Sequence, residues 1–167
     1  MKKILFAVAF VLLANNLAAQ TNCSCCTEPN KQFDFWVGHW IVKNPQGTIV
    51  GENQISKIED NCVLQEKWAG SKGSTGTSMN YYDTTDNTWN QLWVDNKGSV
   101  LKLKGGFSSG IMILKSDLIR GKKVALYYNQ ITWTKNDDGT VTQLWEIYDN
   151  EHKLLQTLFT GIYYQKE

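Results

Sequence analysis

Proline and arginine are almost missing from this chain, which holds two prolines, Pro29 and Pro45, and one arginine, Arg120, in 167 residues. A single guanidinium argues against a phosphate clamp, which arginines usually build. Charge is also lacking in either direction. Setting aside Lys2 and Lys3 with an N-terminal leader leaves fifteen basic residues against sixteen acidic ones. That balance provides no electrostatic footprint for nucleic acid or anionic lipid. Histidine is scarce too, with His39 and His152 alone, and there is no His-x-x-x-His pair or paired Cys-x-x-Cys framework to hold a structural zinc. From Phe33 onward no helical periodicity outlasts one turn, and no apolar run is long enough to span a bilayer.

What is present begins with an export pattern. Lys2 and Lys3, the apolar run Ile4 to Leu13 and the small-residue exit Leu17-Ala18-Ala19 read as a signal peptide over 1–19. Gln20-Thr21-Asn22 before Cys23 lacks the small-residue run of a lipoprotein site, so a secreted or periplasmic protein is expected. Residues 20–32 read as a flexible arm carrying Cys23, Cys25 and Cys26, and 33–167 as one domain. With Cys62 the thiols are four, which allow three disulfide pairings. An oxidising compartment favours disulfides over a soft metal, and a bond to Cys62 would tie the arm to the third strand.

Alternating segments recur about every ten residues near 38–43, 48–58, 62–69, 75–83, 88–95, 98–105, 110–116, 122–134, 140–149 and 153–164. Asn-Pro-Gln-Gly, Asn-Lys-Gly, Asp-Asp-Gly and Asn-Glu separate them with turn chemistry. Ten such strands, with no crossover long enough for a helix, predict an all-β, up-and-down antiparallel barrel. A short plug over Phe33 to Trp36 leads into the first strand. Gly38-x-Trp40 starts the meander, with Trp36 and Trp40 closing the floor.

Period-two alternation places Leu64, Glu66 and Trp68 on one face. It does the same for Trp89, Gln91 and Trp93, and for Val141, Gln143, Trp145 and Ile147. Gln91-Leu92-Trp93 recurs as Gln143-Leu144-Trp145, as if two strands met one interior environment. Inward glutamine and glutamate fit two arrangements: a packed core in which they bond neighbours, or a wet cavity. A core built only for packing would use aliphatic residues throughout, and we adopt the cavity. Its walls are Trp68, Trp93, Trp145, Tyr81 and Met79, and its orienting groups Glu66, Gln91 and Gln143. The expected partner is a small apolar or amphipathic molecule, bound by a monomer or weak oligomer, with no cofactor. Heme is the alternative, and it would require His39 or His152 to point inward. An exported enzyme using Glu66 as acid or base, or an interaction module with a packed core, are the other readings. No reaction class stands out.

Phe33-Asp34-Phe35-Trp36-Val37-Gly38-x-Trp40, then Asn61-Cys62-Val63-Leu64 with Glu66 and Trp68, resembles an uncharacterised group of small exported bacterial domains. Asn80-Tyr81-Tyr82-Asp83, Trp89-x-Gln91-x-Trp93, Ile131-Thr132-Trp133 and Gln143-Leu144-Trp145-Glu146 extend the likeness to about residue 164. That group is similar to the lipocalin-like, or calycin, superfamily, which implies a ligand-binding barrel. The resemblance also implies a late basic side chain, here Lys166, laid over the Trp40 indole. It further implies that His39, Gln130 and Thr142 stand where the group carries charges at the interior or rim.

Overall fold

A computed structural model describes residues 23–122 and 124–167; the leader expected over 1–19 lies outside them. Eleven strands follow a short N-terminal segment. They are β1 (Gly38–Lys43), β2 (Ile49–Ile58), β3 (Val63–Gly70), β4 (Thr75–Asp83), β5 (Thr88–Asp95), β6 (Val100–Ser108), β7 (Ile111–Lys115), β8 (Ile119–Arg120), β9 (Leu126–Lys135), β10 (Val141–Asp149) and β11 (Leu154–Gln165). Consecutive strands pair antiparallel from β1 to β7, then β7 with β9, β9 with β10, β10 with β11 and β11 with β1. Ten strands thus close a barrel with no free edge along the ring. The segment expected as one strand over 122–134 begins only at Leu126, and the two-residue β8 pairs with its start.

Four hairpin loops opened by Asn or Asp share one design, which the β3–β4 loop repeats from Gly70 to Ser74. Asn44, Asp95, Asn136 and Asp149 open them, and each backbone N–H donates to the carbonyl four residues on. The fourth loop position takes positive φ, which glycine adopts without a β-carbon clash. It is Gly47, Gly98 and Gly139 in three loops and His152, at φ 65°, in the last.

The segment 23–37 is folded rather than a loose arm. Cys23–Cys26 and Cys25–Cys62 are disulfides, and the second ties the segment to the entry of β3. A single helical turn, α1 (Glu28–Lys31), and a 3-10 turn at Asp34–Trp36 follow, with Asn30 buried between them and the barrel. Phe33 is the plug's centre. Its ring stacks on Trp36 at 5.0 Å and meets Trp89 and Trp133 edge-on at 5.6 and 5.1 Å. Rings offset or tilted in this way gain quadrupole attraction beyond their burial. The Trp40 indole N–H donates to the Trp36 carbonyl at 2.9 Å, and both side chains are buried, as expected of a floor. A β-carbon at Gly38, whose φ is +150°, would stand 3.3 Å from the Trp40 ring.

Lys166 does not cover Trp40. Its ammonium pairs with Glu52 at 2.6 Å, beside His39 at 3.4 Å, because strand parity puts Glu52 and His39 outside the barrel. The Lys166 bond holds the Glu52 carboxyl below its ordinary range. Gln130 and Thr142 also lie on the outer face, opposite in parity to the buried Ile131 and Val141, so neither sets the charge inside.

Candidate functional site

One end of the barrel is packed solid by Phe33, Trp36, Leu64, Trp89, Met112 and Trp133. The other end is hollow. A cavity of about 420 Å³ opens between the β3–β4 loop and β11, so this end of the interior is not filled by side chains. Glu66, Trp68, Gln91, Trp93, Gln143 and Trp145 all line it, as alternation required. Each Trp stands two residues beyond its Glu or Gln on the same strand face. A polar layer therefore lies beneath an indole layer.

Met79 and Tyr81 are not part of it. Both point to solvent, 37% and 40% exposed, while Ser78 and Asn80 between and beside them are fully buried. Hydrophobicity misjudged this strand because the register places Ser78 opposite Glu66 and Asn80 opposite Gln91. The inward positions of β4 must match polar neighbours, so the apolar residues went outside.

Those neighbours form a continuous chain of hydrogen bonds. Gln91 Nε2 donates to Asn80 Oδ1 at 2.8 Å, and Asn80 Nδ2 donates to Ser78 Oγ at 2.9 Å and to the Leu64 carbonyl at 3.0 Å. The Ser78 hydroxyl donates to Glu66 Oε2 at 2.6 Å, and Asn53 Nδ2 donates to Oε1 at 2.7 Å. Tyr163 donates to Gln143 Oε1 and accepts from Asn53 Nδ2. Burial pushes the Glu66 carboxyl upward despite the two bonds that stabilise its anion. Burial, then the nearby Glu66 charge, also raises the Tyr163 hydroxyl well above its ordinary value. Asn53 Oδ1 is buried with no partner.

Asn53, Ser78, Asn80 and Tyr163 escaped the sequence reading. Their only mark there was parity with the inward residues of adjacent strands, which requires the register to be known.

The walls are set by glycines. A β-carbon at Gly51 would stand 2.6 Å from Trp68, and one at Gly76 would stand 2.2 Å from Trp93. Each indole therefore lies across a gap in the neighbouring strand. Trp68 also meets Phe159 edge-on at 6.0 Å, and Trp145 Nε1 donates to Asn129 Oδ1 at 2.9 Å. Pairing slips by one residue between Trp145 and Glu146, where Trp145 faces Phe159 and Glu146 faces Thr157. Leu158 is the extra residue of this bulge, and it reaches the cavity mouth beside Phe159. Lys72 is at the same mouth.

Neither histidine lines the cavity. His39 pairs with Glu52 outside, and His152 Nδ1 lies 2.9 Å from the Tyr128 hydroxyl. Glu146, opposite in parity to Trp145, is buried on the outer side beneath Tyr148, whose hydroxyl donates to it at 2.7 Å and is pushed up to about 12. Among the described residues no helix is long and apolar enough to cross a membrane. No protein-family model matches the chain, and no curated protein matches it by sequence.

Proposed function

We propose that this protein is an exported barrel that takes up a small amphipathic molecule in its open end. The observation that carries the reading is a hollow of about 420 Å³ with three indoles for walls and a buried carboxyl for a floor. That volume falls within the range of small-molecule sites, and apolar walls with a few convergent polar groups are their usual chemistry. Desolvation of the ligand supplies affinity, at roughly 25 cal/mol for each Å² of apolar surface covered. The polar floor supplies orientation.

Export is part of the same proposal. Two disulfides are at home in an oxidising compartment, and the basic-then-apolar start of the chain is that of a cleaved leader. The closed meander starting at Gly38-x-Trp40 supports kinship with lipocalin-like barrels. Catalysis by Glu66 is the weaker reading, since no second carboxylate and no histidine lines the cavity with it.

Tryptophan fluorescence is the test. Saturable quenching or a spectral shift is expected with one or more of a panel of fatty acids, alkyl alcohols, alkyl amines, retinoids and aromatic metabolites. The response is lost in Trp93→Ala and retained in Met79→Ala and Tyr81→Ala, whose side chains face solvent. A panel that leaves the emission untouched, together with native mass spectra free of added mass from the producing host, overturns the reading.

A further inference from the structure

We infer that the molecule held in this cavity is a protonated amine with an apolar body, its ammonium seated on Glu66 beneath the three indoles. The inference rests on the binding role proposed above and adds the chemical class of the ligand.

The polarity of the hydrogen-bond chain is the first argument. The Leu64 carbonyl can only accept, so it fixes the Asn80 amide with its nitrogen toward both Leu64 and Ser78. Ser78 Oγ therefore receives a hydrogen from Asn80, and its single proton goes to Glu66 Oε2. That carboxyl oxygen is held as an acceptor. With Asn53 Nδ2 on Oε1, the surroundings give donors to both oxygens and offer Glu66 no acceptor that the chain has oriented for it.

Charge is the second argument. Among the described residues no lysine, arginine or histidine makes a salt bridge with Glu66, although it is 5% exposed. A buried carboxylate without a counter-charge is costly, and a cation that arrives with the ligand removes that cost. A carboxylic acid in the same place would add a second negative charge, and an alkyl tail would leave the floor's polar groups facing hydrocarbon.

The walls are the third. Trp68, Trp93 and Trp145 stand one pleat above the polar layer, and a tryptophan face is the best aromatic partner for a cation. The Trp145 indole N–H is already bonded to Asn129. Lys72 lies at the mouth, away from the polar floor, so an amine must pass it and a carboxylate could rest on it. The experiment must separate these two orientations.

Octylamine, octanol and octanoate share one tail and differ in the head. At neutral pH the folded wild-type protein is expected to bind octylamine at least about tenfold more tightly than either of the others, read by tryptophan fluorescence. Glu66→Gln brings octylamine down to the level of octanol. Octylamine binding is also expected to release a proton from the wild-type protein in mildly acidic buffer, whereas octanol binding releases none. The groups facing Glu66 are Asn53 from β2, Ser78 from β4 and Tyr163 from β11, and Gln91 and Gln143 complete the polar layer. Tyr163 titrates far above that range, so the proton belongs to Glu66. This measurement decides the matter if the Gln variant does not fold. Octanoate binding as tightly as octylamine, an amine preference that survives Glu66→Gln, or no proton release overturns the amine while leaving the cavity a binding site. Failure of all three compounds overturns the binding role itself.

Discussion

The Trp93 indole lies across Gly76, so closely that a β-carbon there would sit 2.2 Å from its Cζ2. The pairing of Ser78 with Trp93 brings the ring to that spot, and the missing side chain on β4 lets it lie flat against the sheet. Gly51 serves Trp68 in the same way. Gly76→Ala must therefore tilt the Trp93 ring into the cavity or bend β4. Overpacking of this kind costs typically about 1–3 kcal/mol. The expected result is a lower urea midpoint together with a changed near-ultraviolet circular dichroism spectrum. An unaltered spectrum would mean the ring has another place to go.

The two disulfides differ in what they close. Cys25–Cys62 spans 37 residues and Cys23–Cys26 spans three. Chain entropy makes the long loop worth roughly 4 kcal/mol and the short one about half of that. Paired serine substitution at Cys25 and Cys62 is expected to lower stability clearly more than the same change at Cys23 and Cys26. Equal losses in denaturant titrations would argue that the N-terminal segment holds to the barrel by α1 and Phe33 instead.

Glu66 ties stability to pH. Its carboxyl is raised by burial, so the fold favours the neutral form. The stability associated with that shift is complete below the unfolded-state value and is lost as pH rises through the folded-state value. In the absence of ligand, wild-type protein should therefore lose stability relative to Glu66→Gln as pH climbs from the ordinary carboxylate range toward neutrality. Glu52, Asp86, Asp95 and Asp138 are lowered by their partners and act in the opposite sense, but they are common to both proteins and cancel in the difference. Parallel curves for the two proteins would show that Glu66 is not perturbed.

His152 occupies a backbone position that three sister loops give to glycine. Left-handed backbone costs a residue with a β-carbon roughly 1–2 kcal/mol. His152→Gly and His152→Ala both remove the contact with Tyr128, so their difference isolates the backbone. The glycine variant is expected to be the more stable by about 1 kcal/mol in urea titration. If alanine equals glycine, the loop relaxes out of the left-handed region.

Alternation and turn chemistry alone determined the barrel. Inward Trp89, Gln91 and Trp93, and the Asn-Lys-Gly and Asp-Asp-Gly turns with φ near +80° at Gly98 and Gly139, follow from local rules that each strand obeys by itself. The inward place of Glu66 between Leu64 and Trp68 was legible for the same reason. The rest depended on which residues face one another across strands. Pairing put Ser78 beside Glu66 and Asn80 beside Gln91, which turned Met79 and Tyr81 outward against their hydrophobicity. A bulge then brought Leu158 to the mouth, and the Cys25–Cys62 bond tied down a segment whose composition is that of a loose arm. Face is a property of one strand and is written in its sequence. Partnership belongs to two strands at once, and only the closed sheet decides it.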